Sequence, residues 1–183
     1  MLRSPARGEP GYTAAMPEVD LQPHQAQWSR DYAAVAGELR LAFADAPVLI
    51  EHIGSTAVPG LSAKPVIDVL LGASSLPVIE ARIDALAALG YQYVARHEAV
   101  IPLRRYFVKA AVPRVHVHGV VIDGQIWREH LAFRDALRGD QALCAAYQDL
   151  KLALAIRHAE DKAAYTEAKA PFIQAVLRAA GLR

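Results

Sequence analysis

Apolar and polar positions repeat along this chain with two different periods, and the switches between them mark out its elements. From His24 the period is helical. Trp28, Tyr32, Val35, Leu39 and Phe43 recur three and four residues apart, giving one apolar face of a helix that Pro47 ends. Val48 to Ile53 reads as a short strand. Gly54-Ser55-Thr56 turns it, with Ser55 or Thr56 capping a brief helix that Pro59-Gly60 stops. Pro65 to Leu71 is a second strand, apolar on both faces apart from Asp68, as an interior strand is. The dozen residues between these strands suit either a short crossover or a long hairpin.

Ser74 or Ser75 caps a helix predicted over Leu76–Leu89, with Gly90 just past its end. Strands follow at Tyr91–Ala95, Arg104–Ala110 and Arg114–Ile122. Helices are predicted over Gln125–Leu137, Gln141–His158 and Asp161–Ala180, broken at Gly139-Asp140 and Ala159-Glu160. The order implies an α+β (mixed α/β) fold with a helical C-terminal half. Residues 1–16 mix Arg, Pro, Gly and Ala without a period. They are expected to form a disordered arm, or to precede the true start at Met16, ahead of a single domain over residues 17–183.

Composition narrows the function classes. At 183 residues the chain is long enough to bury a core. Its formal net charge of +1 shows no basic stripe, so general nucleic-acid binding and membrane-surface binding are not expected. The single cysteine, Cys144, excludes an internal disulfide framework and a cysteine-based zinc cluster. No apolar run reaches the ~18 residues of a membrane span, and the N-terminus lacks a signal-peptide core. A cytoplasmic protein is the expectation.

Three groups of residues carry potential chemistry. Asp68 shares its strand face with Val66 and Leu70, and an ionised carboxylate placed there needs a partner: a cation, backbone N–H groups, a metal or a substrate. At Gly54-Ser55-Thr56 a strand runs into a helix N-terminus, where free N–H groups and two hydroxyls suit an anion; the same residues also serve as plain turn chemistry. His116 and His118 lie two apart on a strand and point the same way. They suit a shared metal ion, a phosphate, or simple solvent exposure. If their strand lies beside that of Asp68, the set has a two-histidine, one-carboxylate composition, which favours softer ions over Mg²⁺. Lys64, Arg105, Lys109, Lys151 and Lys169 are the cations expected to reach a phosphorylated ligand. Arg104 lies beside them in the sequence. Tyr147/Lys151 and Tyr165/Lys169 are i,i+4 pairs in which the ring packs under the lysine stem.

The stretch IEHIGSTAVPGLSAKPVIDVLL resembles the signature of the GrpB family, and the likeness extends from about Val19 to Leu182. Gly90-Tyr91, Tyr106-Phe107-Val108-Lys109, Arg114 to His118, Leu131 to Asp135, and both Tyr/Lys pairs also agree. The resemblance implies a nucleotidyltransferase-like mixed sheet flanked by helices. Some members are fused to a coenzyme A biosynthetic kinase, which hints at nucleotide-related work. In the wider fold a Gly-Ser turn holds the triphosphate. An Asp-x-Asp/Glu pair and a third acid hold two Mg²⁺ ions. Gly54 and Ser55 match the turn, Asp68 the first acid, and His116 or His118 falls near the third. The second acid is replaced by Leu70, which cannot ligate a metal.

The resemblance therefore implies binding of a nucleotide or other phosphorylated small molecule, with phosphoryl or nucleotidyl transfer assisted by one divalent metal (Mn, Zn or Mg) at Asp68, His116 and His118. The alternative is a binding or interaction module that has lost the two-metal set. The helical C-terminal half offers a face for a homodimer.

Overall fold

The alternation of side chains along β-strands decides which residues face which layer here. The computed structural model describes residues 19–183, so the arm expected over residues 1–16 lies outside them. Helix α1 (Gln27–Phe43) leads into β1 (Leu49–Ile53) and β2 (Val66–Ala73). Two short helices follow, α2 (Leu76–Glu80) and α3 (Ile83–Ala88), then β3 (Gln92–Tyr93), β4 (Arg105–Lys109) and β5 (Arg114–Val121). The C-terminal half is α4 (Gln125–Gly139), α5 (Gln141–Arg157), α6 (Lys162–Glu167) and α7 (Ala170–Ala179).

The five strands form one mixed sheet in the order β1-β2-β5-β4-β3. Only β2 and β5 run parallel. The segment between β1 and β2 is the long hairpin, since these strands are antiparallel with Ile53 opposite Asp68. A mixed sheet flanked by helices, with a helical C-terminal half, is the architecture the sequence implied. Among the described residues no helix is long and apolar enough to cross a membrane.

One face of the sheet is sealed. Ile67, Val69 and Leu71 of β2, Val115 and Val117 of β5, and Phe107 of β4 pack against Leu39 and Phe43 of α1 and Ile79 and Leu86 of α2 and α3. The other face carries a small cluster of Ile53, Leu70, Val120 and Trp127 at one end. A third cluster, in which Leu137 and Tyr147 of α4 and α5 cover Val58 and Leu61, ties the C-terminal helices to the loop between β1 and β2. Cys144 packs partly buried beside it.

Several boundaries differ from the sequence reading. The helix expected over Leu76–Leu89 divides at Ala81-Arg82, and Ser75 occupies the cap position without its side chain capping. The helix expected over Asp161–Ala180 divides at Ala168-Lys169. Pro171 sits in the first turn of α7, where its missing N–H and fixed φ are tolerated but a continuous helix is not. The strand expected over Tyr91–Ala95 shrinks to two residues at the sheet edge, and a 3₁₀ turn takes Ala95–Ala99.

Candidate functional site

The open face of the sheet holds the site. Gly54 turns the chain out of β1 with φ +71°, and a Cβ there would lie 2.5 Å from Asp68 Oδ2. Glycine is therefore required on two counts: the left-handed backbone and the carboxylate pressed against it. The 3₁₀ turn Ser55–Ala57 follows, and neither hydroxyl caps it. Ser55 Oγ accepts a 2.8 Å hydrogen bond from Lys151 Nζ. Thr56 is turned inward: its Oγ1 donates to Val66 O (3.1 Å) and stands 3.0 Å from His52 Nε2. Thr56 thus braces the hairpin through its hydroxyl, while the residue also lines a lysine-lined cavity.

Parallel pairing sets Asp68 opposite His116 and Leu70 opposite His118. Asp68 Oδ1 lies 3.3 Å from His116 Nδ1 and 3.7 Å from His118 Nε2. Burial alone would raise the Asp68 carboxyl. The two imidazoles outweigh it and hold the group well below the usual carboxylate range. The other nitrogen of His118, Nδ1, lies 3.4 Å from the Arg104 guanidinium. Arginine can only donate, so Nδ1 accepts and the ring proton sits on Nε2, facing Asp68. Burial lowers the pKa of His118, with Asp68 opposing.

Tyr106 stands edge-on to His118 at 5.2 Å and stacks on His97 at 4.8 Å. On α4, His130 ties Nδ1 to Ile126 O at 2.8 Å and approaches the His118 ring at 5.6 Å. Burial pushes His130 down to about 4.

Two cavities meet here. One, of about 440 Å³, is lined by Ser55, Asp68, His116, Tyr106, Tyr165 and the lysines 64, 151, 162 and 169. The other, of about 430 Å³, is lined by Ser55, Asp68, His118, His130 and Lys169, with Phe133, Leu137, Ile173 and Leu177 as its apolar wall. Lys151 is only 2% exposed. It also donates to Ser62 O. Burial lowers its pKa to about 7 and that of Lys169 to about 8, with a neighbouring lysine adding to each shift. The ammonium groups of Lys64 and Lys169 lie 4.9 and 4.4 Å from the centre of the Tyr165 ring. The Tyr/Lys pairs are stacked as expected, and both lysine heads line the cavity wall.

The structure thus brings Gly54, Ser55, Lys64, Asp68, His116, His118, Lys151 and Lys169 together. Arg105 and Lys109 it does not. Phe107 lies between them on β4 and points into the sealed core, and strand alternation carries both cations to that side. Arg105 pairs with Glu80 (2.6 Å) and Glu98 (3.2 Å), Lys109 with Glu38 (2.6 Å). Arg104, one residue before the strand, reaches the site instead. The same two-residue period that paired the histidines would have found it. His130 lies on one face of α4 with Phe133, Arg134 and Leu137, a helical spacing legible in the sequence. Lys162 opens α6 behind its Asp161 cap and carried no signal.

The residues do not assemble the two-metal acid set of the wider fold. Leu70 is fully buried against Trp127. Among the described residues no three His, Cys, Asp or Glu side chains converge to hold an ion. His116 and His118 address Asp68 instead, and Arg104 occupies the remaining nitrogen of His118.

Comparison with known proteins places most of the chain. It is 35% identical over 164 residues to a UPF0157 protein of Streptomyces coelicolor, covering 90% of this chain and 85% of that protein. It is 31% identical over 166 residues to the glutamate-rich protein GrpB of Alkalihalophilus pseudofirmus, covering 87% and 94%. The crystal structure of the conserved protein GrpB from Enterococcus faecalis superposes with a TM-score of 0.80 at 32% identity, over 88% of this chain and 96% of that one. The GrpB protein model matches residues 18–179. With the signature turn, the mixed sheet and the match over residues 18–179 in agreement, the chain belongs to the GrpB family.

Proposed function

We propose that this protein binds a phosphorylated small molecule, with its phosphates in the lysine-lined cavity beside Ser55. One observation carries the reading: four lysines line a single cavity in which, among the described residues, Asp68 is the only carboxylate. Among the described residues none of the four makes an ion pair. Lys151 and Lys169 are held there at depressed pKa values, a standing cost that a bound phosphate offsets. Ser55 adds a hydroxyl. The adjoining apolar-walled cavity suits the body of the ligand, and a nucleotide matches both compartments in kind.

Leu70, standing where the fold's second acid would be, favours a site that works without two-metal chemistry. The test is a thermal-shift panel of nucleotides and sugar phosphates, each with and without Mg²⁺, Mn²⁺ and Zn²⁺. A ligand at 100 times its Kd stabilises by roughly 2.7 kcal/mol, well within reach of a melt. The expected result is a shift with phosphorylated compounds, independent of metal and clearly reduced in Lys151→Met. A flat panel defeats the proposal.

A further inference from the structure

We propose that His116 is a phosphoryl-accepting nucleophile, oriented by Asp68 and open to the lysine-lined cavity. Its substrate is a phosphoanhydride. The inference rests on the phosphate-binding reading above and adds a covalent step to it.

The two histidines near Asp68 are not equivalent. His118 has both nitrogens engaged, Nε2 toward Asp68 and Nδ1 toward Arg104. His116 engages only Nδ1, 3.3 Å from Asp68 Oδ1. A proton held there by the carboxylate leaves the lone pair on Nε2. Nε2 makes no hydrogen bond. Among the described residues the buried side-chain nitrogen and oxygen atoms without a partner are His24 Nδ1 and Arg104 Nε alone. His116 Nε2 is therefore accessible, and of the two cavities His116 lines only the lysine-lined one. The pair is set by the β2/β5 register, Asp68 opposite His116, so backbone pairing fixes their juxtaposition. A nucleophile with its second nitrogen oriented by a third group is the arrangement covalent catalysis requires.

The step balances without a metal. The Nε2 lone pair attacks the terminal phosphorus, forming an N–P bond as the bridging P–O bond breaks. The bond's electron pair leaves on the oxygen of an anionic phosphate or nucleoside phosphate. No proton moves. The positive charge arising on the imidazole faces Asp68, and the lysines face the phosphate oxygens. Water or a second hydroxyl compound then attacks phosphorus, the N–P pair returns to Nε2, and one proton goes to solvent.

The test incubates the full chain, in EDTA, with ATP labelled at its γ-phosphate and with labelled inorganic pyrophosphate. Equilibrium binding of the same two compounds is measured alongside. The expected result is an alkali-stable, acid-labile label of up to one per chain, mapped to His116 by mass spectrometry. It is absent in His116→Gln, reduced at least tenfold with binding retained in Asp68→Asn, and unchanged in Arg105→Ala. Added imidazole should become phosphorylated by His116→Gly, a readout that a structural role would not give. If a compound binds and no label forms, or the label maps elsewhere, the nucleophile is wrong while the binding site stands. If neither compound binds, both readings fall.

Discussion

The two faces of this sheet are built from the same strands and do opposite things. On β5, Val115 and Val117 point into a sealed core against α1, α2 and α3, while His116 and His118, alternating with them, point at the cavities under the C-terminal helices. On β2, Ile67 and Val69 flank Asp68 in the same way. The sealed face pairs its few charges: Lys109 with Glu38, Arg105 with Glu80 and Glu98, and Tyr91 Oη donating to Glu38 at 2.8 Å. On the open face Arg134 pairs with Glu51 and Arg183 with Glu129, but among the described residues the four lysines gathered beside Asp68 make no ion pair. A chain that selects only for stability would neutralise such a set. On the binding proposal, a phosphorylated ligand on the open face offsets the cost of leaving this set unpaired.

The largest effect expected from breaking this contrast is on the sealed side. Phe107→Ala empties a fully buried position packed against Tyr93 and should cost about 3 to 5 kcal/mol, read from the shift in urea midpoint. A midpoint close to that of the parent would mean this face is not the stabilising one. Next is Lys151→Met on the open side. It should weaken phosphate binding roughly 10- to 100-fold, by loss of charge-assisted hydrogen bonds, in a titration at pH 7. The same variant should hold or gain stability, since it removes a buried ammonium with no ion-pair partner. Loss of both stability and binding would recast Lys151 as structural.

Two pH effects follow in size. The pKa of Lys151 falls from an ordinary 10.5 to about 7 in the folded chain, and that of Lys169 to about 8. Between those values and 10.5 the unfolded chain carries more protons, so these lysines make stability rise with pH across that window. Phosphate binding favours the charged forms. Binding at pH 8 should therefore take up protons, visible as a calorimetric enthalpy that changes with buffer ionisation. Equal enthalpies in all buffers would contradict the depressed lysines.

On the acid side, burial holds His52, on the sealed face, and His130, on the open face, at about 4. Each favours the neutral folded form, so stability present above pH 6.5 is lost as pH falls from 6.5 towards 4. His52→Asn should flatten that slope in urea titrations run at several pH values. The smallest effects belong to Arg105→Ala and Lys109→Ala. Their partly exposed ion pairs should cost up to about 1 kcal/mol each and leave phosphate affinity untouched. An affinity change from either would place the site on the wrong face.

Much of the fold was legible in the amino-acid pattern, because period is a local property. The helical spacing of Trp28 to Phe43, the lone Asp68 in an apolar strand, the His116/His118 pair and the turn at Gly54-Ser55 are each read from neighbours in sequence. Breaks that depend on weak local signals were misplaced. Pro171 divided the last helix, and the division leaves Lys169 at the N-cap of α7, beside the cavity. The misassigned cations show the limit more sharply. Arg104, Arg105 and Lys109 are equivalent as charges in a list, and only the strand's facing, set by which side of β4 meets α2 and the core, separates Arg104 from the others.

The sequence alone carried the signature by which the family is recognised and most of the run of elements, and it set the chemical groups available, since motif and local period survive without long-range contacts. What only the tertiary structure decided was their pairing. It chose a long hairpin for β1 and β2, set β5 parallel to β2 so that Asp68 meets His116, and folded the C-terminal helices so that Lys151, 96 positions from Ser55, donates to its hydroxyl. Those choices rest on strand register and on apolar burial between distant segments, energies that no window of neighbouring residues contains.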